Sequence, residues 1–383
     1  MQNVNSIKTL TSIRFFAAFY VLIFHCLMRW DIPVIPPFIK HIVAMGPMSM
    51  SLFFILSGFI LCYNYYDINI KTDYIDFLIK RFARVYPVYI CAAILTIPFI
   101  TLTINPSYEH LFLNHVELKV LINFLQVMFL AISNILLIQG WFPGLFSYWN
   151  DGGSWSLSVE VFCYILLPLF IVLFRRVKST ALTYLMILFY LLTILPGFAY
   201  LLFYPQPLFS TIYALPIFRL PEFLIGILLC LFYRKRLYSS VNYHKVLFYI
   251  LLIWGMYSAL IGYKIPGYVT SNIIIIPVCS ILIYAVANLK SGALFNLLTS
   301  KTAIILGESS YCLYLLQALP IQFFEKYGNN ISKFIPIFGD NYFKCGLTII
   351  SSIIISIVFH YQVEKVLRKK ILSKYHLKYK SLE

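Results

Sequence analysis

Charged residues are scarce in this chain: Asp, Glu, Lys and Arg make up 11% of its 383 residues, whereas 61% are hydrophobic. Long polar stretches are missing too, and apolar runs long enough to cross a bilayer, about 17–25 residues, recur from end to end. This balance excludes a soluble domain of this size and predicts an all-α polytopic membrane protein. The sequence shows no internal repeat, no low-complexity tract and no appended soluble domain.

Paired cysteines are also missing. The eight Cys stand singly, nearly all in apolar runs, and no Cys-x-x-Cys or Cys/His cluster occurs in the sequence. We therefore expect neither disulfides nor a bound metal. The first apolar run is too long for a cleavable signal peptide and no small-residue cleavage site follows it, so we expect none.

Acidic residues are few, which leaves a formal net charge of +16. The placement of the basic residues argues against a nucleic-acid partner, because they collect between apolar runs and at the C-terminus. This is the positive-inside pattern beside an anionic lipid leaflet. The basic residues concerned are Arg175, Arg176, Lys178, Arg234, Lys235, Arg236, Lys365, Arg368, Lys369, Lys370, Lys374, Lys378 and Lys380.

Eleven apolar runs are candidate spans: 10–29, 42–64, 83–104, 120–139, 155–174, 181–203, 211–233, 245–263, 269–288, 303–324 and 343–363. Three of these runs, 83–104, 120–139 and 155–174, lie between the basic loop around Lys71 and Lys80 and the next basic loop at 175–180. All basic loops can face the cytoplasm only if one of the three runs does not cross the membrane. Run 120–139 is the most polar of these, so we predict that it is re-entrant or interfacial. About ten transmembrane helices follow, with both termini cytoplasmic, in a membrane domain 1–364 and a basic cytoplasmic tail 365–383.

The first run contains two ionisable side chains, Arg14 and His25. A charged group in hydrocarbon costs about 2.5 kcal/mol or more, so it usually faces protein or water and marks a site. Residues eleven apart lie within roughly 20° of one helix face and about 16 Å apart along the axis. We interpret the pair as the core of a catalytic site, with His25 in the outer half of the membrane. The alternative is a snorkelling Arg and a packed His.

Three further groups are candidate site residues. Trp155 and Ser156 open a helix that also carries Glu160, and we expect this carboxylate to orient the His25 imidazole. Arg81 and Arg84 are one turn apart and could clamp phosphates, or simply anchor the span at the inner face. Arg219 and Glu222 could pair on one helix face, for structure or for function.

The motifs, taken in order, resemble membrane acyltransferase family 3, the integral-membrane O-acyltransferases of bacterial surface polysaccharides and other glycosylated acceptors. The matching pieces cover almost the whole chain. They are Arg14 with His25, Phe-Phe-Ile-Leu-Ser-Gly-Phe at 53–59, Arg81 and Arg84 before Tyr-Pro, Trp-Ser-Leu-Ser-Val-Glu at 155–160, Arg219 to Glu222 with Gly226, Gly-Glu-Ser-Ser-Tyr-Cys-Leu-Tyr-Leu at 307–315, and Glu364-Lys365.

The resemblance implies transfer of an acyl group, with acetyl favoured, from cytoplasmic acyl-CoA to a hydroxyl of a surface glycan or lipid-linked sugar at the outer face of the plasma membrane. Acyl-CoA is then a co-substrate and no cofactor is bound; polysaccharide-assembly proteins are possible partners. We expect His25, Glu160 and Arg14 to be catalytic and Arg81 and Arg84 to bind the donor. Supporting or acceptor-binding residues are Trp155, Ser156, Arg219, Glu222, Tyr311 and Gln317.

The sequence departs from the family at Gln317, where members often have His; an amide cannot titrate but can hydrogen-bond a sugar. The main competing hypothesis is a transporter or flippase of a glycan or lipid, in which intramembrane Arg, His and Glu would carry protons or substrate. Transporters often contain inverted repeats and broken helices in matching halves, and we find neither pattern. A scaffold for a polysaccharide synthase is a weaker alternative.

Overall fold

The computed structural model describes residues 4–99, 116–142, 145, 153–203, 213–237, 241–262 and 267–375. These residues form helices joined by short turns, and strands are absent from the described chain. The α-helices are α1 Val4–Arg29, α2 Pro37–Ala44, α3 Ser49–Asn64, α4 Ile70–Thr96, α5 Val116–Ile135, α6 Trp155–Phe174, α7 Ser179–Phe203, α8 Pro216–Arg234, α9 Tyr243–Leu260, α10 Gly267–Ala287, α11 Ala293–Thr299, α12 Lys301–Glu308, α13 Ser310–Leu316, α14 Ala318–Ile331, α15 Asn341–Phe359 and α16 Lys365–Lys374.

The predicted polytopic all-α membrane fold is confirmed. Eight described helices are long and apolar enough to span a membrane, and the bent pair formed by α12 with α13–α14 makes a ninth. Helix α10 is a further crossing by its contacts. The Asn272 amide at its start donates to the Thr193 carbonyl on α7, and its end accepts from Thr9 at the beginning of α1. We call the side where α1 begins the N-terminal face and the other side the opposite face.

Helix α5, which contains most of the run expected not to cross, lies in the chain between α4 and α6, and α4 ends on the face where α6 begins. Its neighbours α4 and α6 are antiparallel: Tyr74 near the start of α4 donates to the Ile165 carbonyl in α6. At the other end, Gln139 bridges Tyr89 of α4 and the Ser154 carbonyl that precedes α6. Since α4 ends where α6 begins, the segment between them returns to the face it left. This geometry agrees with a re-entrant or interfacial segment.

The run predicted as a single span over 303–324 is broken. Helix α12 and the segment formed by α13 and α14 meet at a bend of 46° around Ser309. The Ser309 and Ser310 hydroxyls bond back to the carbonyls of Leu306 and Gly307, a pattern that bends helices because it competes with the backbone ladder. The bend brings the Tyr311 side chain towards α4.

The boundary expected between a membrane domain and a basic tail falls inside a helix. Residues 341–374 form one continuous helical segment of 34 residues that passes residue 364 without a break. Helix α16 packs against α4, and its Leu372 is buried. Residues 365–374 therefore extend the last helix, while residues 376–383 lie outside the described chain.

The tightest crossing in the fold joins α3 and α8. A Cβ added at Gly58 would overlap the Phe223 carbonyl oxygen, and one added at Gly226 would overlap the Ile55 carbonyl oxygen. Small residues at such a crossing let two backbones touch, which is how helices gain packing energy where the hydrophobic effect is absent. This contact fixes α3, which carries the motif at 53–59, against α8, which carries Arg219 and Glu222.

We expect Gly226→Ala to lower the thermal unfolding midpoint of the purified protein, because overpacking a filled site costs about 1–3 kcal/mol. The measurement is the fraction of monodisperse protein that survives heating in detergent. Gly255→Ala is the matched control, since nothing lies within 4 Å of a Cβ at that helical glycine. Equal midpoints for the two variants would contradict the packing argument.

Candidate functional site

A cavity within the bundle gathers charged side chains from three helices and a tyrosine from a fourth. Arg14 of α1, Arg81 and Arg84 of α4, Glu160 of α6 and Tyr311 of α13 all line it. The remaining lining residues are Phe53, Leu56, Ser57, Ile60, Leu61, Val85 and Tyr164. Three guanidinium groups thus face one carboxylate in a small polar space, so the site carries excess positive charge.

The two cations on α4 are held differently. Arg81 is buried; its Nη2 donates to the Tyr65 hydroxyl at 3.0 Å and its guanidinium lies 5.3 Å from the Tyr65 ring centroid. Arg84, one turn further along, has its Nε 3.9 Å from Oε1 of Glu364. Arg81 is therefore fixed by an aromatic neighbour, and Arg84 by a buried carboxylate.

Arg14 is the least restrained cation of the cavity. Within the described chain it makes no hydrogen bond or ion pair, although Arg84, Glu160 and Glu364 lie within electrostatic range. A guanidinium carries five N–H donors. Those donors are available to a ligand that enters the cavity.

Glu160 belongs to the cavity, whereas His25 lies at another depth. The Glu160 carboxylate accepts a hydrogen bond from Tyr164 at 2.7 Å. Helix α1 runs beside α12–α14 in parallel, with Thr11 against Gly307 and Arg29 bonded to Glu325. His25 is thus close to the opposite face, about 16 Å along α1 from Arg14 by helix rise. The described residues that line the cavity do not include His25. This geometry favours Arg14, and not His25, as the side chain next to Glu160.

Hydrogen bonds tie several of the expected supporting residues to the segments around the cavity. The Tyr314 hydroxyl and the Ser156 hydroxyl both donate to the Gly153 carbonyl, ahead of α6. Tyr311 donates to the Val85 carbonyl at 2.8 Å and ties α13 to α4. Gln317 is buried, its amide nitrogen donates to the Tyr314 carbonyl, and its Oε1 has no partner in the described structure.

Arg219 and Glu222 form a buried ion pair away from the cavity, with Nη1 and Oε1 2.6 Å apart. The guanidinium also donates to the Tyr213 carbonyl and lies 5.8 Å from the Trp155 ring centroid. Trp155 in turn packs on Phe54 of α3. The pair therefore holds the first turn of α6 against α3 and α8.

The structure adds a cluster that our sequence analysis did not assign to the site. Nδ1 of His360 lies 2.8 Å from Oε2 of Glu364, and Nε2 lies 3.4 Å from Oε2 of Glu308. Lys365 also contacts Glu308, and Cys312 lies against Glu364. The available signal was His360 and Glu364 four residues apart at the end of an apolar run, where an ionisable residue is a functional candidate by default.

Part of this cluster has the composition of a metal site. Ligand atoms of Cys312, His360 and Glu364 lie within 4.8 Å of one another. Sequence spacing could not show this, because Cys312 is distant in the chain. The three side chains also satisfy one another by hydrogen bonds, since Glu364 accepts from both the imidazole and the thiol.

Comparison with known proteins identifies the family of this chain. A family profile described as an acyltransferase domain, that of acyltransferase family 3, matches residues 7–361. The chain is also 26% identical over 330 residues to the acyltransferase MdmB of Streptomyces mycarofaciens. The aligned region covers 83% of this chain and 79% of that protein. No solved structure matches significantly. Because the profile spans nearly the whole membrane bundle, including the cavity and His25, the chain belongs to acyltransferase family 3.

Proposed function

We propose that this acyltransferase moves an acyl group, with acetyl favoured, from acyl-CoA to a hydroxyl of a surface glycan or glycolipid. The observation that carries the proposal is the cavity of Arg14, Arg81 and Arg84, in which Arg14 has no protein partner in the described chain. Three guanidinium groups that share one lining carboxylate, Glu160, leave an excess of positive charge that suits an anionic or strongly polar ligand. The phosphates of coenzyme A and the thioester oxygen are such groups.

The cavity supplies what a thioester needs as it reacts. Its carbonyl oxygen gains negative charge when an alcohol attacks, and fixed guanidinium donors in a water-poor site stabilise that charge strongly. Arg14 offers donors for this purpose if the thioester reacts at the depth of the cavity. If the pantetheine arm carries the thioester to His25, about 16 Å along α1, Arg14 binds the donor and does not contact the carbonyl. Arg81 and Arg84, on the N-terminal-face side of the bundle, are our candidates for holding the rest of the donor.

The acceptor hydroxyl needs a base, because an alcohol is a weak nucleophile at neutral pH. Neutral imidazole suits this task, and His25 is our candidate. In the transfer step His25 removes the hydroxyl proton as the C–O bond forms. The C–S bond then breaks, and coenzyme A leaves as a thiolate that takes up a proton. Gln317 and Ser156 are candidates for hydrogen-bonding the acceptor sugar.

The separation between Arg14 and His25 means that the acyl group has to travel between two depths. Two routes fit: the pantetheine arm extends along the bundle, or the acyl group is relayed through the protein. Membership of the family favours an enzyme over the transporter and scaffold hypotheses. No bound cofactor or metal is part of the proposal, and polysaccharide-assembly proteins remain proposed partners.

The experiment that tests the function is mass spectrometry of surface glycans from cells that contain the protein, lack it, or contain His25→Gln. We expect an acyl mass increment only with the wild-type protein, because glutamine cannot accept a proton at the hydroxyl. Variant protein has to accumulate in the membrane at the wild-type level. An unchanged increment with His25→Gln would remove His25 as the base, and an identical pattern without the protein would refute the proposed acceptor.

Arg14→Lys and Arg84→Lys should raise the KM for acetyl-CoA about tenfold, because lysine keeps the charge but loses the two-pronged donor geometry. Initial rates of CoA release by the purified protein measure this. Arg29→Lys is the matched control, since Arg29 makes an exposed ion pair with Glu325 at the far end of α1. An unchanged KM with a lower turnover would place the arginine at the reacting carbonyl instead.

We place the protein in the plasma membrane with both termini cytoplasmic, and thiol labelling tests this orientation. In a background without native Cys, a Cys at Asn150 should react with an impermeant reagent added outside, while a Cys at Lys374 should react only after the membrane is opened. Asn150 and the neighbouring Asp151 lie outside the described residues, and the expectation rests on the distribution of Lys and Arg. Equal labelling from outside would contradict the ten-span topology.

A further inference from the structure

The last long helix contains an irregular turn beside the cavity. Residues His360–Glu364 form a π-helical turn between α15 and α16. Its i→i+5 hydrogen bonds widen the helix, so side chains four residues apart lie almost directly above one another. Single π turns are rare and frequently occur at functional sites. Here the turn places the His360 imidazole against the Glu364 carboxylate.

The two carboxylate oxygens of Glu364 have different partners. Oε2 accepts from His360 Nδ1 at 2.8 Å and from the Cys312 thiol at 3.5 Å. Oε1 faces Arg84 Nε at 3.9 Å. One oxygen is therefore anchored within the protein, and the other is directed at a cation of the cavity.

A chain of contacts leads from the cavity to the N-terminal face. The Glu364 side chain is 4% exposed, and His360 links it to Glu308, which is 40% exposed and paired with Lys365. Both imidazole nitrogens thus face carboxylates, which fixes the ring orientation. The imidazole is in turn a rigid support for Glu364.

The contact with Glu364 decides which edge of the Arg84 guanidinium stays available. Glu364 lies on the Nε side, and in the described chain Arg84 makes no hydrogen bond to protein. Its two terminal nitrogens are then free to bind a ligand bidentately. A side chain as long as arginine would otherwise sample many rotamers and lose binding energy on ordering.

We propose that Glu364 is a positioning residue that orients Arg84 for the acyl donor, and that His360 and Cys312 hold Glu364 in place. This inference rests on the proposed function, because it takes acyl-CoA as the ligand of the cavity. The role of Glu364 is exerted through Arg84, so its removal should have no effect once Arg84 is replaced.

A double-mutant cycle on acetyl-CoA binding tests this dependence. The dissociation constant of radiolabelled acetyl-CoA is measured on purified wild type, Glu364→Gln, Arg84→Lys and the double variant. We expect each single change to raise Kd about tenfold and the double variant to stay within about twofold of Arg84→Lys, since residues that act through one another are not additive. Glu325→Gln, which breaks the exposed pair with Arg29, should leave Kd unchanged.

Variants at His360 separate positioning from general stability. An asparagine amide can occupy the place of Nδ1, so His360→Asn should keep Kd within about threefold of wild type. His360→Ala should raise Kd as much as Glu364→Gln does. Thermal unfolding midpoints are recorded for every variant, and if Glu364→Gln does not fold, the same cycle is run with His360→Ala.

Three outcomes would overturn the inference, and they differ from one another. Additive losses in the cycle mean that Glu364 acts independently of Arg84, although acetyl-CoA binds. Absence of acetyl-CoA binding by the wild type refutes the proposed donor and the inference with it. One equivalent of zinc in the wild-type protein that Cys312→Ser abolishes would show that the cluster is a metal site and not a support for Arg84.

Discussion

A cation inside an apolar layer has to face a counter-charge, an aromatic ring or a polar cavity, and this constraint organises the whole bundle. Arg219 pairs with Glu222 and contacts three aromatic rings, and neither residue lines the described cavity. Arg81 donates a hydrogen bond to Tyr65, and Arg84 lies next to the Glu364 carboxylate. Arg14 makes no hydrogen bond or ion pair in the described chain and faces the cavity. The four arginines thus range from fully paired to available, and availability distinguishes a binding group from a structural one.

Close backbone contacts and local bends position the helices around the cavity. Glycine contacts bring α3 and α8 together at the backbone, so Trp155 and the first turn of α6 can lie against them. On the other side, Tyr311 follows the bend between α12 and α13 and donates to the Val85 carbonyl of α4, and Gln139 after α5 donates to Tyr89 of α4. Irregular backbone at this depth is tolerated because protein surrounds it.

Much of the fold follows from local patterns. Run length and hydropathy predict helices. The placement of basic residues predicts that one run does not cross, and polarity indicates which run that is. The break at Ser309 and the continuity of the helix past Glu364 are harder to foresee. The first depends on hydroxyls that compete with the backbone ladder, and the second on packing between α16 and α4. Neither leaves a strong signal in composition.

The sequence by itself determined the class of the molecule and its main chemical groups: a polytopic helical bundle, with arginines, a histidine and a glutamate placed inside apolar runs. Ionisable residues there are costly, so their mere presence is informative. Only the tertiary structure decided which of them meet. It joined Glu160 to Arg14 and Arg84 and set His25 at another depth. It also brought Glu308, Cys312, His360 and Glu364 together. Helix periodicity gives a residue's face and depth but not its neighbours, because helix order and register are properties of the packed bundle.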